Sequence, residues 1–356
     1  MVNWDAGWEV GLLVSLLAAA ALLVLSLFLL NRIHARRLER ALHLEQGLEQ
    51  TLLEWARRGP APEEIAQLSR LRGDDRAVLF RVCLRILPEL EAEAVERVRS
   101  GLEHSSILDR EVANLRHWSW GRRADACRML GRLGCRRAIP GLVERLEDPD
   151  PVVRQRAIAA LGDLRAVGAL DRIVAALDAT ASWTDLLAIM ALSRMGPGSV
   201  PRIDALLRAS TSPAMTKGLL QVTAQLGLAE DPALVRALAR YDDPEVRVEA
   251  VRALGRIPAD EASVDVCLAA MDDPAWPTRA LAARSLGHLG DRRAIPRLER
   301  AMGDRAYWVR HHAGQALATL GQAGQDALQR RLADPNPFVR DMANQMLFTS
   351  ALAGAT

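Results

Sequence analysis

Along the latter two-thirds of the chain, apolar positions recur with a period of thirty-one residues. Stepping from Leu130 reaches Leu161, Leu192, Thr223 and Leu254, and one step of thirty-two then gives Leu286, with Leu317 thirty-one further on. Four residues before each of these stand Ala126, Ala157, Ala188, Leu219, Ala250, Ala282 and Ala313. Positions four apart lie on one face of an α-helix, so each pair marks the inward stripe of one helix, and an Ala at a fixed place lets neighbouring helices come close. The residue after each Leu-column member is also small: Gly131, Gly162, Ser193, Ala224, Gly255, Gly287 and Ala318.

Within one period the pattern predicts a first helix such as Pro244 to Ile257, a short break, and a second helix such as Pro296 to Met302. Proline at the start of the second helix suits the first turn, where its missing N–H would have no partner. The segment GCRRAIPGLVERL, Gly134 to Leu146, returns as GDRRAIPRLERAM, Gly290 to Met302. A single hairpin cannot bury its apolar face, so the units must stack. The expected fold is all-α: a right-handed α-solenoid of about seven helical hairpins over residues 118–348, with a C-terminal tail at 349–356.

The first third follows another pattern. Val10 to Leu30, VGLLVSLLAAAALLVLSLFLL, carries no charge, and twenty-one helical residues at ~1.5 Å each match the roughly 30 Å apolar thickness of a bilayer. Asp5 and Glu9 precede it, with no Lys or Arg, which argues against a cleaved signal peptide. Trp4 and Trp8 sit where an interfacial anchor would, and Arg32, Arg36, Arg37 and Arg40 follow the run. The expectation is a transmembrane anchor at 1–31, its N-terminus outside and the remainder in the cytoplasm. Residues 32–117 read as a helical neck and degenerate helical pairs: Asn31 to Arg58 is a charged helix with Leu38, Leu42, Leu48 and Leu52 interspersed, stopped by Gly59-Pro60. Its apolar spacing lacks the sustained heptads of a coiled coil.

Composition changes this picture little. The chain has 356 residues, half of them apolar, and a formal net charge of +2, so it can bury a substantial core and offers no global charge that would draw nucleic acid. Lys217 is the only lysine among 46 basic residues. Cys83, Cys127, Cys135 and Cys267 fit neither a redox pair nor a zinc framework and read as small buried residues.

The motifs DPDPVVR (Asp148 to Arg154) and DPNPFVR (Asp334 to Arg340), with the two RRAIPxL copies, resemble HEAT repeats of the short bacterial kind found in bilin lyases. The resemblance covers roughly Trp118 to Phe348, and the signatures of tetratricopeptide and ankyrin units are absent. It implies a non-catalytic scaffold or adaptor. With the anchor, the plan is similar to bacterial inner-membrane HEAT proteins that accompany envelope glycosyltransferases, which implies a polysaccharide synthesis or export complex as client. Two alternatives stand beside it: a bilin-lyase-like or other tetrapyrrole-binding accessory enzyme, and a lipid or nucleic-acid binder using Arg-rich helices. Deoxyhypusine hydroxylase, which uses repeats of this family, holds iron with His-Glu pairs, and no His here is followed by Glu.

Three groups of residues are candidates for function. Arg123, Arg154, Arg247, Arg279, Arg310 and Arg340 recur at one place in the first helices, interrupted by Asp185 and Thr216. They form either a structural ladder with aspartates such as Asp148, Asp243, Asp273, Asp304 and Asp334, or a row of anion contacts. Trp183, Trp276, Trp308 and Phe338 stand two or three residues before that place and are the first candidates for a partner-binding edge, since aromatic side chains carry much interface energy. Alternatively they are hydrophobic staples. Arg136, Arg137, Arg292 and Arg293, read as belonging to the second helices, are further contact candidates. His311-His312 comes without HExxH, paired CxxC or a glycine-rich phosphate loop, so neither catalytic residues nor a metal or other cofactor is expected.

Overall fold

The computed structural model describes residues 6–179 and 186–353, with no side chain described at 6–14, 17–21, 33–38, 74 and 351–353. Trp4, Trp183 and Asp185 therefore lie outside the described residues. All regular structure among the described residues is helical, and the chain forms two compact units, Met1–Glu111 with Leu133–Cys135 and Val112–Arg132 with Arg136–Thr356.

In the first unit α1 (Ala6–Arg58) runs as one helix and is followed by α2 (Pro62–Ser69), α3 (Asp74–Ile86) and α4 (Ala92–His104), and the unit's boundary at Glu111 falls within the short α5 (Asp109–Asn114). The end of α1 packs on α3 and α4. Leu48, Leu52, Trp55 and Ala56 are buried with Leu79, Val82 and Cys83 of α3 and Val98 and Leu102 of α4. The Trp55 indole N–H donates to Glu64 at 2.9 Å, which satisfies its one polar atom inside an apolar site. Gly101 lies against that indole, where a Cβ would come within 2.4 Å of the ring. Of the neck leucines, Leu48 and Leu52 are thus buried in their own unit, while Leu42 is exposed. Its chain reverses at Gly59, whose φ of +82° suits glycine, before Pro60.

The membrane span expected at Val10 to Leu30 falls within α1, but its described side chains are those of residues 15, 16 and 22–30. Among the described residues no helix is long and apolar enough to cross a membrane.

The second unit alternates first helices, α6 (Trp120–Leu133), α8 (Pro151–Asp163), α10 (Leu186–Arg194), α12 (Pro213–Leu226), α14 (Pro244–Leu254), α16 (Trp276–Leu289) and α18 (Tyr307–Thr319), with second helices. The second helices are α7 (Ile139–Glu144), α9 (Leu170–Ala179), α11 (Val200–Ala209), α13 (Pro232–Leu238), α15 (Glu261–Ala270), α17 (Ile295–Ala301) and α19 (Gly321–Arg331), and α20 (Pro337–Ala353) completes the series. Successive first helices from α8 to α20 pack side by side. Every member of the Ala and Leu columns is buried, Leu219 and Thr223 included; the Thr223 hydroxyl donates to the Leu219 carbonyl at 3.0 Å. The helices meet closely where glycine follows the Leu column, at Gly131, Gly162, Gly255 and Gly287. A Cβ on Gly131 would stand 2.6 Å from the Ala160 Cα, and one on Gly162 would stand 2.3 Å from the Ala191 carbonyl oxygen.

Helix starts follow local chemistry. Asp150, Ser212, Asp231 and Asp243 each accept a first-turn N–H ahead of a proline, and Asp260 caps α15 in the same way. One expectation needs correction. Arg136 and Arg137, like Arg292 and Arg293, sit in 3-10 turns that precede α7 and α17, not on those helices. Each Ile-Pro that follows marks the real helix start, with Pro at its first turn.

Candidate functional site

The Arg column has two anchors per side chain. In Arg123, Arg154, Arg247, Arg279, Arg310 and Arg340, Nη1 donates to two backbone carbonyls five and six residues earlier, in the turn that leads into its own helix. In three of them Nε and Nη2 also grip both oxygens of an aspartate from the following hairpin. Arg123 holds Asp148 at 2.8 and 2.8 Å, Arg247 holds Asp273 at 2.7 and 3.1 Å, and Arg279 holds Asp304 at 2.8 and 3.0 Å. These are forked, charge-assisted pairs that tie one hairpin to the next. Burial alone would raise the carboxyls of Asp148, Asp273 and Asp304, but the guanidinium and a backbone N–H outweigh it and hold each below the ordinary carboxylate range.

Arg154, Arg310 and Arg340 show the Nη1 pin without such a fork among the described residues, and of these three Arg310 is the one set over aromatic rings. Asp334, one hairpin on from Arg310, accepts from Arg331 at 3.0 Å and from the Asn336 N–H at 2.9 Å, as Asp148 accepts from Arg145 at 3.3 Å and from the Asp150 N–H at 3.1 Å within its closed rung. The Arg310 guanidinium lies over the Phe338 ring, 4.8 Å from its centroid, with the Tyr307 ring at 5.8 Å. Asp243 caps α14, and Thr216 stands where its arginine would be, so no rung forms there.

The aromatic candidates occupy the starts of the first helices. Trp276 is 46% exposed, Trp308 52% and Phe338 60%, while Trp183 lies outside the described residues. Two neighbours belong with them although sequence reasoning passed them over. Tyr307, 48% exposed, packs edge-on against Trp308, and Trp120, 54% exposed, stands three residues before Arg123 as Trp276 does before Arg279. The spacing rule that picked out Trp276 would have found Trp120. His311 and His312 lie beneath Tyr307 and Trp308 in ring contact with them. Burial, together with nearby Arg284 and His311, outweighs a Gln315 hydrogen bond and pushes His312 below the usual imidazole range.

The basic candidates are less uniform. Arg136, Arg137, Arg292 and Arg293 are all exposed, and Arg293 pairs with Asp291, Glu261 and Asp265. On the second helices Arg172, Arg202, Arg236, Arg297 and Arg330 each meet a carboxylate of an adjacent hairpin. Positive charge there is balanced in place, which leaves it a poor phosphate groove.

A cleft of about 590 Å³ opens over the outer faces of α12, α14 and α16, lined by Lys217, Gln221, Glu245, Val248 and Glu249 among others. Lys217 pairs with Glu245, and Gln221 donates to Glu249 Oε1 at 3.1 Å, while Glu249 Oε2 is buried without a hydrogen bond, 3.4 Å from Arg252 Nε. The four cysteines are buried and unbridged, and burial pushes the thiols of Cys83, Cys127 and Cys267 up to about 12, which removes them from thiolate chemistry. Among the described residues no cluster of His, Cys, Asp and Glu could hold a metal.

The family profile described as HEAT repeats matches residues 108–193, 144–217, 231–318 and 264–347, together well over half of the chain. The chain is a HEAT-repeat protein. The matched ranges omit 218–230, where Leu219 and Thr223 replace the usual Ala and Leu. Among curated proteins this HEAT-repeat chain is similar to phycocyanobilin lyase subunit alpha of Nostoc sp., 36% identical over 97 residues, which are 25% of this chain and 35% of that one. The chain thus spans about a third of the length of the curated relative it matches. Solved structures similar to it include an engineered protein (21% identity, 86% of this chain and 95% of that one, TM-score 0.39). Human deoxyhypusine hydroxylase is another (19%, 87% and 98%, TM-score 0.31). A third is a chain from the structure of Kap95p with RanGDP (12%, 87% and 51%, TM-score 0.46). At these identities and TM-scores they say nothing about what this protein binds.

Proposed function

We propose that this HEAT-repeat protein is a non-catalytic scaffold that binds another protein along the aromatic edge of its first helices. The observation that carries the reading is the row of half-exposed Trp276, Tyr307, Trp308 and Phe338 at the starts of three consecutive first helices. Exposed aromatics gathered on one edge cost solvation that a monomer has no need to bear, and aromatic residues dominate interface hot spots. Trp276→Ala combined with Trp308→Ala should lower capture of the co-purifying partner at least about tenfold while leaving helicity and melting temperature unchanged. Unfolding of the double variant, or undiminished capture, would sink the edge as the binding surface.

The same proposal places the scaffold on a membrane. Its support is the run Leu22 to Leu30, where Leu22, Leu23, Val24, Leu25, Leu27, Phe28, Leu29 and Leu30 are all more than half exposed, so no face of that part of α1 is covered by protein. A bacterial inner-membrane location with the repeats in the cytoplasm, and an envelope polysaccharide glycosyltransferase or export complex as client, complete the reading. Purification in mild detergent, compared with the chain lacking residues 1–31, tests it: a near-stoichiometric membrane enzyme found only with the full chain supports it.

A second reading, a tetrapyrrole-binding accessory factor, is favoured by the segment similar to the Nostoc lyase subunit. Visible absorbance co-purifying with the protein would support it.

A further inference from the structure

We infer that Arg310 is an open rung that receives a carboxylate from the partner, so the partner presents an acidic side chain flanked by aromatic or aliphatic residues. This rests on the reading of the molecule as a protein-binding scaffold and names the chemistry of its partner.

The molecule itself shows what fills such a rung. In Arg123, Arg247 and Arg279, Nη1 is pinned by two turn carbonyls, and Nε with Nη2 form a fork closed on one aspartate at 2.7–3.1 Å. Arg310 has the same pin, to the carbonyls of Asp304 at 2.9 Å and Arg305 at 3.1 Å. Its side chain is therefore held in place before any ligand arrives. The aspartate due to close the fork, Asp334, pairs with Arg331 and makes no ion pair with Arg310 among the described residues, whereas Asp148 pairs with both Arg145 and Arg123. The hydrogen bonds of Arg310 among the described residues all come from Nη1, and Nε and Nη2 are not buried.

Stacking sharpens the geometry. The Arg310 guanidinium lies over the Phe338 ring, 4.8 Å from its centroid, while Nε and Nη2 make no hydrogen bond among the described residues. An aromatic face and an in-plane fork can be used together because guanidinium donors lie in its plane. Tyr307 and Phe338, both with exposed ring surface, flank the guanidinium, and partial desolvation by a docked partner would strengthen the ion pair. A carboxylate is preferred to a phosphate because the three closed rungs of the same geometry all hold carboxylates.

The test uses the full chain in mild detergent and a fluorescein-labelled octapeptide alternating Asp with Phe and Leu, compared with a copy in which every Asp is Asn, read by anisotropy. The acidic peptide should bind at least about tenfold tighter than the amide copy. Arg310→Gln should abolish that preference and Arg310→Lys, which keeps charge without the fork, should recover only part of it, with melting curves of both variants matching the parent. Arg305→Gln, which removes a neighbouring exposed charge but leaves the rung intact, should change binding less than about twofold. Equal binding of the two peptides, or equal damage from Arg305→Gln and Arg310→Gln, would overturn the inference, because binding would then depend on apolar contact or general charge. Displacement of the acidic peptide by millimolar inorganic phosphate but not by equal acetate would overturn it in favour of a phosphate site. If the co-purified partner binds the Arg310→Gln variant as well as the parent, the scaffold reading stands and the open rung falls. If no partner is captured by the parent while the peptide still needs Arg310, the carboxylate site stands and the scaffold reading falls.

Discussion

A Cβ at Gly162 would lie 2.3 Å from the Ala191 carbonyl oxygen, and that oxygen is backbone in the middle of α10, which cannot step aside without moving a helix. Gly162→Ala should therefore destabilise the protein by about 1–3 kcal/mol through overpacking. Gly47 supplies the opposite case: it is an exposed residue inside α1, and a Cβ added there would meet nothing within 4 Å. Gly47→Ala should stabilise by about 0.5–1 kcal/mol, since only the helix propensity changes. Urea unfolding of the two variants beside the parent reads both signs, and a stable Gly162→Ala would mean that the first helices are not in contact at that point. Both positions were visible as glycines in the chain. The small-residue column marked Gly162 as a close approach, whereas no periodicity touches Gly47.

Between hairpins, the rungs are the elements' chief polar ties. Each of Asp148, Asp273 and Asp304 has its carboxyl held below the ordinary value, by pairing that outweighs burial. A folded value below the unfolded one means that the stabilisation is present in full above about pH 4 and drains away as pH falls through the lower folded value. Asp273→Asn should cost about 1.5–3 kcal/mol at neutral pH and should also flatten the fall in stability below about pH 4. Melting curves from neutral to acid pH check both, and an unchanged acid slope would show that Asp273 stays ionised, or is already protonated, throughout. The recurrence of Arg and Asp was legible from the thirty-one-residue period. Which Asp meets which Arg was not: Arg247 passes over the cap Asp243 of its own helix and reaches Asp273 in the next hairpin. Nor did spacing reveal that Asp334 leaves Arg310 open, because its surroundings match those of the closed rung: Arg331 pairs with Asp334 as Arg145 pairs with Asp148. Arg136 and Arg292 were assigned to helices although the Ile-Pro after each pair sets the helix start later.

For the whole molecule the sequence periodicity was most informative where each hairpin leans on its neighbour, since a stack of like hairpins repeats its contacts as well as its letters. The first unit carries no such repetition, and its core around Trp55 and Gly101 could not be read from spacing. Where the protein works depends on the proposed anchor, and that has a direct test. Leu22 lies near the middle of the uncharged run Val10 to Leu30 and is 67% exposed. If the run spans a bilayer, Leu22→Arg replaces a favourable residue near mid-depth by one costing about 2.5–3.5 kcal/mol, and a second change, Leu25→Arg, adds a further charge one turn away. The parent should stay with membranes after alkaline carbonate extraction, while the double variant should move largely to the supernatant with its far-ultraviolet helicity intact. Lys217→Gln, in the cleft of the second unit, should leave the partition unchanged. Release of the parent by carbonate would remove the anchor from the proposal, and the aromatic edge would then have to bind its partner without confinement to a surface and its raised effective concentration.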